Sequence, residues 1–368
     1  MKPSDASTSL SLASLIRVGA ISLGLLLLWQ LQNLVVVLMI AIVLASTLAP
    51  MIQRVEALRL PRWLAVLAVY GGLIGVAITL TLVIGPTVTE QIQRIFNALP
   101  GYLEVLTTSL EDTILQLGIS KPEDLGMINQ VFDLQALTAW TFRSSQKLIL
   151  QSVDLTKGLL GGVFNLLLAL ILSAYMLSDS QRLLHGLVVL FPQPWEQRLA
   201  DQVHPVSQRM GAYIQGRLLV SLILGTTVSI GLKLIGITEV ALGLGAIAGL
   251  TNLIPFFGPV LGAIPALLFA VAQGGWTALW VLLLFVVIQN LETYVLDPLV
   301  VSPSVNVPPL YQLLAVLGGT QVLGIIGALI TPPWIAAGGV LIENLYLQPK
   351  RQAEQDNQPL PETVPVFD

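Results

Sequence analysis

From Leu15 to Ala49 the chain is apolar almost without interruption, and Gln32 and Asn33 place a polar turn near the centre of the run. A helix crossing a bilayer needs about 20 apolar residues, so this stretch predicts two retained spans; it is too long for the core of a cleaved leader. Further apolar runs at about 63–84, 159–177, 217–235 and 276–296 predict four more spans. Residues 50–62 hold Arg54, Arg59 and Arg62 against a single Glu56, a bias that places this loop and the amino terminus in the cytoplasm.

Segment 86–158 is amphipathic instead. Ile92, Ile95, Phe96 and Leu99 share one helical face, and Leu103, Leu106, Leu110 and Leu117 share another. The third span leads into it from the cytoplasm, so it is expected to be an extracytoplasmic set of packed helices. A membrane-surface helix would need a basic face, and acidic residues outnumber basic ones here. The pattern thus divides the chain into a polar tail (1–14), the first three spans (15–85), the helical insertion (86–158), a fourth span with a cytoplasmic helical linker (159–216), a core (217–347) and a polar tail (348–368). Both tails are expected to be disordered.

The core carries two broken segments. Val240 to Ala272 spans about 33 residues, roughly 50 Å as one straight helix against a hydrocarbon core of about 30 Å. Pro255, Gly258 and Pro259 interrupt it, Gly262 follows, and Pro265 kinks the returning part. After the span at 276–296 comes a proline-rich connector, then a second apolar stretch at 310–342, with Gly318, Gly319, Gly324, Gly327 and Pro332-Pro333 as breaks. Freed backbone groups in lipid cost several kcal/mol each unless protein or a hydrated cavity satisfies them. Helix followed by broken segment therefore occurs twice, and two readings follow: inverted re-entrant hairpins around a mid-membrane site, or proline-kinked full crossings. Either ends the chain in the cytoplasm.

Composition makes the membrane unavoidable. Of 368 residues 55% are hydrophobic and 10% charged, and mean hydropathy is +0.82, so one soluble core could not cover the apolar surface. The expected fold is all-α and polytopic, with about 6 to 8 transmembrane elements including the two hairpins. The net charge of −4, with no basic stripe, argues against nucleic acid as a partner. No cysteine is present, which excludes thiolate nucleophiles, disulfides and sulfur-ligated metals. No phosphate-binding Gly-Lys-Ser/Thr loop occurs, so ATP hydrolysis is not expected. His185 and His204 lie in the charged 178–217 region and make no metal pair, and the spans hold no internal Asp or His for hydrolysis. Neither cofactor, metal nor enzymatic activity is expected.

A solute or a coupling ion needs polar groups that water reaches part-way through the bilayer. The candidates are Thr251 and Asn252 before the first break, Gln289 and Glu292 one turn apart near the end of the 276–296 span, and Thr320 and Gln321 in the second broken segment. Pro255, Gly258, Pro259 and Gly262 act as builders of unwound backbone rather than ligands, with Gly318, Gly319 and Gly324 doing the same opposite. Glu292 lies roughly 24 Å along its helix from Trp276, where a carboxylate can also be simply solvated. Arg217 and Lys233 stand near the two ends of one span and are read as snorkelling to the interfaces.

These residues also resemble a known family. The run Leu-Gly-Leu-Gly-Ala-Ile-Ala-Gly-Leu-Thr-Asn-Leu-Ile-Pro-Phe-Phe-Gly-Pro-Val-Leu-Gly-Ala-Ile-Pro at 242–265, Gln289-Asn290-Leu291-Glu292 leading to Pro298 and Pro309-Leu310, and Gly318-Gly319 with Gly324-Ile325-Ile326-Gly327-Ala328 resemble the autoinducer-2 exporter (AI-2E) family, also known through PerM-type permeases. Tyr175, Asp179 and Tyr213-Ile214-Gln215-Gly216-Arg217 look like its cytoplasmic segment. The chain departs from the usual pattern at Pro332-Pro333, where one proline is expected, and at Asp297, where a neutral residue is more usual. The resemblance implies a polytopic transporter, for some members a homo-oligomer or pentamer, with elevator-like motion. It implies either export of autoinducer-2 or exchange of Na+ or Li+ for H+. The expected partners are therefore the lipid bilayer, a small polar solute, H+ or Na+, and further copies of the chain. The expected function is secondary export, with a cation/proton antiporter and a non-transporting scaffold as the competing classes.

Overall fold

The computed structural model describes residues 30–95, 97–98, 101, 152–301 and 308–356. The amino-terminal part of the first apolar run, residues 102–151 of the insertion, the connector with Pro303 and the final tail lie outside them. Among the described residues every regular element is a helix. Five stretches are long and apolar enough to cross a membrane: α1 (Gln32–Glu56), α2 (Arg62–Val83), α5 (Trp195–Ile235), Gly275–Val301 and Pro309–Gln355. A sixth appears if α3 (Ser152–Ser178) and α4 (Ser180–Val188), bent by 85°, count as one. Large apolar side chains such as Leu222, Leu234, Leu283 and Val322 cover the outside, the inverse of a soluble protein and the surface a bilayer requires. The all-α, multi-pass reading holds.

The first bundle is α1, α2 and α3. Leu48, Ile52, Val66, Tyr70 and Leu177 form its interior, and Tyr70 Oη and Ser173 Oγ, both buried, pair at 2.6 Å. Arg62 fixes one end by donating from Nε to Leu177 O and from Nη2 to Ser180 Oγ, each at 2.7 Å. The basic loop expected at 50–62 is shorter than that, because α1 continues through Pro50 to Glu56.

Linker and fifth span are one helix. α5 runs for 41 residues through Pro205 and ends where Ile237 N–H donates to Leu232 O and Gly236 N–H to Lys233 O, a Schellman cap. Its amino-terminal half packs on α1, where Gly211 lies directly against the Ser46 backbone and Gln215 Nε2 donates to Thr47 O at 2.6 Å. Its other half meets α6 (Ala241–Thr251) through small residues. Gly225 sits over Gly245 and Gly249, and Ser229 faces Gly245, so the two backbones approach as closely as in membrane helix pairs lacking side chains at the contact.

The first broken segment is a hairpin of α6 and α7 (Phe257–Gln273). At about 16 Å and 25 Å, neither limb spans the hydrocarbon core on its own. Contacts run antiparallel. A side chain at Gly258 would strike Thr251 O and Asn252 Cα, and one at Gly262 would sit 2.8 Å from Ala248 Cα, so only hydrogen permits the limbs to close. Pro265 lies inside α7, which continues through it. Gln91, from the helical stretch 85–95, accepts a 2.6 Å bond from Gly243 N–H and so satisfies one free amide at the start of α6.

Gly275–Val301 combines α8 (Gly275–Leu291) with a wider, i→i+5 winding over Glu292–Val301 that contains Pro298. The last apolar stretch, α9 (Pro309–Ile342), is folded too. Gly324 has φ +63° and ψ −146°, a region that is essentially glycine-only. Gly319 on one side of it lies against Gly327 O and Thr331 Oγ1 on the other. The chain therefore doubles back at Gly324 alone, while Pro332 and Pro333 sit buried within the returning limb rather than breaking it. A final helix, α10 (Gln348–Asp356), follows.

Candidate functional site

Three elements bring an arginine, an amide and a carboxylate together inside the core. α5 carries Arg217, the tip of the α6–α7 hairpin carries Asn252, and the wide turn after α8 begins with Glu292. Their exposures are 5%, 2% and 3%. Arg217 Nη1 donates to Glu292 Oε1 at 3.0 Å and Nη2 to Asn252 Oδ1 at 3.3 Å, while Asn252 Nδ2 donates to the same Glu292 oxygen at 3.1 Å. Each pair in the trio is thus bonded. Asp297, one turn on from Glu292, stands 3.6 Å from Arg217 Nη1, outside hydrogen-bond reach, with 42% of its side chain exposed.

The snorkelling reading of Arg217 is therefore wrong. Its guanidinium points inward because a buried carboxylate without a cation would cost several kcal/mol, and a five-donor fork can serve carboxylate and amide at once. Glu292, equally, is enclosed rather than solvated at an interface.

Arg217 and Glu292 form one wall of a cavity of about 370 Å³, a volume suited to a small solute, and Asn252 stands behind them, bonded to both. Tyr213, Pro255, Phe256, Pro259, Gln289, Thr293, Asp297, Pro298, Val301, Pro309 and Gln312 complete the lining. Tyr213 Oη, Arg217 Nε and Ser221 Oγ are buried without a protein hydrogen-bond partner, and they recur every four residues along one face of α5. Buried polar atoms left in that state find water or a ligand.

The hairpin tip is under strain. Phe257 N–H donates to Pro255 O at 2.8 Å across Phe256, whose φ is +67° and ψ −42°. This is a γ-turn of the rare hand, costing about 1–3 kcal/mol in a residue with a side chain. Thr251 holds the turn from inside, its Oγ1 lying 2.8 Å from Ile247 O and 3.0 Å from Gly258 O.

Of the residues singled out from sequence, Gln289, Glu292, Pro255 and Pro259 line this cavity, and Asn252 reaches it only through its bond to Glu292. Thr251, Gly258 and Gly262 build the hairpin behind it. Thr320 and Gln321 are not in the lining; Thr320 Oγ1 donates to Val316 O within its own helix. Nor do Gly318, Gly319, Gly324 and Gly327 line it, and the second hairpin contributes only its opening residues Pro309 and Gln312. Sequence reasoning missed Arg217, Tyr213 and Asp297 as site residues. A charge balance was the available signal, since a carboxylate in an apolar helix demands a cation and Arg217 borders the preceding span.

A cavity that holds buried charges and is walled by interrupted helices inside a multi-pass bundle is the architecture of a membrane transporter. Residues 19–347 match the AI-2E family transporter family, and the chain belongs to it. It is similar to "Putative transport protein YueF" of Bacillus subtilis (strain 168), with 28% identity over 332 residues that cover 88% of each chain. It is also similar to "Putative transport protein YrrI" of the same organism, with 33% identity over 193 residues, 50% of this chain and 54% of that one.

Proposed function

We propose that the chain is a secondary transporter, not an enzyme, which exports a small polar molecule such as autoinducer-2 or a related metabolite across the cytoplasmic membrane. Each hairpin enters and leaves on one side, both termini face the cytoplasm, and the protein works as a homo-oligomer. The observation that carries the reading is the buried Arg217–Glu292–Asn252 trio beside the cavity that Arg217 and Glu292 line. Charges at that depth are costly and are kept where they meet a solute or ion. Small-residue packing joins α6 to α5, so the hairpin moves with that helix, whereas the strained Phe256 turn supplies a joint that can relax.

Proteoliposomes loaded with autoinducer-2 test this. The intact chain is expected to release it faster than empty vesicles do, and Glu292→Gln is expected to stop the release; equal rates for the intact chain and empty vesicles would defeat the proposal. For the hairpins, Thr238→Cys and Gln273→Cys flank the α6–α7 unit in a cysteine-free background. Labelling of both from one side is expected, and labelling from opposite sides would mean a full crossing.

Two carboxylates around one arginine favour a second reading, exchange of Na+ or Li+ for H+. It requires an imposed sodium gradient to change lumenal pH in the intact chain and not in Glu292→Gln.

A further inference from the structure

We infer that Asp297 is a specificity-determining residue that makes the cavity select by charge, admitting cationic and neutral solutes and rejecting anions. The inference rests on the transport reading for its biological meaning but on the cavity alone for its physics. The lining contains one guanidinium, Arg217, and two carboxylates, Glu292 and Asp297. Arg217 and Glu292 neutralise each other at 3.0 Å, and both are buried at 5% and 3% exposure. Asp297 Oδ1 stands further off, 3.6 Å from Arg217 Nη1, buried and without a hydrogen-bond partner, while 42% of the side chain is open, so its carboxylate is the charge left for the cavity to meet.

Among the described residues nothing else in the lining offsets that charge. Tyr213, Gln289, Thr293 and Gln312 are neutral polar groups, and the remainder are apolar or proline. The hairpin tip does not supply an anion site either. The carboxyl end of α6 and the amino end of α7 meet there, so their opposite partial charges largely cancel. The amides of Phe257 and Gly258 are already occupied by Pro255 O and Ile254 O. Tyr213 Oη, 3% exposed at the residue and lacking a partner, is a hydrogen-bonding group left for a ligand in the same cavity. A hydroxyl or amino group is the chemistry that would engage Tyr213 and Asp297 together, and a carboxylate or phosphate ester would meet repulsion from Asp297.

The test reads the cavity's potential without needing flux. The chain lacks cysteine, so Thr293→Cys places one thiol in the lining. In proteoliposomes its modification is timed with a cationic trimethylammonium-ethyl methanethiosulfonate and an anionic sulfonatoethyl methanethiosulfonate, and each rate is divided by that for a free thiol in solution. The cationic reagent is expected to be favoured by about ten-fold, with Asp297→Asn removing most of the preference and Asp297→Glu restoring it. Should the Asn variant fail to fold, raising ionic strength from about 0.02 to about 0.5 M should by itself shrink the preference. A ratio near one, a preference for the sulfonate, a preference untouched by both Asp297→Asn and salt, or a thiol that neither reagent reaches would overturn the inference. If export of autoinducer-2 fails while the charge preference holds, the transport reading falls and the selectivity of the cavity stands.

Discussion

The two hairpins of the core share a device and differ in what it serves. Each turns on a break between short helices and each closes through glycines set against backbone, Gly258 and Gly262 in the first, Gly319 and Gly327 in the second. At the second tip the reversal falls on a glycine, Gly324, which adopts its conformation at no steric cost, among exposed apolar neighbours such as Val322 and Ile325. At the first, the positive φ falls on Phe256, and Asn252 one turn earlier is locked to Arg217 and Glu292. An interruption in a membrane helix therefore does not make a site by itself. It becomes one where polar partners from other helices converge on it and where strain is retained instead of relieved.

Substitutions can break that contrast, and the largest effect is expected at Arg217. Arg217→Ala leaves Glu292 buried and unpaired, so a loss of about 3–5 kcal/mol in stability and complete loss of flux are expected, read from thermal unfolding in detergent and from vesicle release. Arg217→Met combined with Glu292→Leu should recover most of the stability and none of the flux. A double variant that transports would detach the trio from function.

Next come the glycines. Gly258→Ala and Gly327→Ala each drive a methyl into backbone, and each should cost about 1–3 kcal/mol. Only Gly258→Ala should also change the reactivity of a thiol at position 293, because only the first hairpin borders the cavity through its tip. Open space surrounds Gly318, with no described atom beyond its own helix turn within 4 Å of where a methyl would stand, so Gly318→Ala should shift the unfolding temperature scarcely at all.

Opposite in sign is Phe256→Gly, which releases the turn. Relief of about 1–3 kcal/mol of strain is offset by about 0.5–1 kcal/mol of added chain entropy, leaving a net gain of up to about 2.5 kcal/mol and a higher melting temperature. Slower flux at that higher melting temperature would identify the strain as part of the working cycle, whereas a fall in melting temperature would show that the Phe256 ring contributes more than the turn costs.

Much of this architecture was legible in the sequence because membrane helices announce themselves through unbroken apolar length. The positions of α1, α2, α5 and α8 follow from that, and Pro255 marks the break at Asn252–Phe256, whereas Gly258 and Pro259, expected to share the interruption, lie in the first turn of α7. What could not be read was pairing between elements distant along the chain. Arg217 and Glu292 are 75 residues apart, and an arginine at a span's edge looks the same whether its side chain turns to water or inward. The second hairpin misled for a related reason. Gly318, Gly319, Gly324, Gly327, Pro332 and Pro333 could each have been the break, and only the approach of Gly319 to Gly327 singles out Gly324.

The central claim, that the first hairpin carries the solute site and the second does not, is tested most directly by release of autoinducer-2 from proteoliposomes containing Asn252→Ala, set beside the double variant Thr320→Ala and Gln321→Ala. Asn252→Ala is expected to lose release while the double variant keeps the rate of the unaltered chain. Undiminished release with Asn252→Ala, or equal loss in both, would contradict the claim.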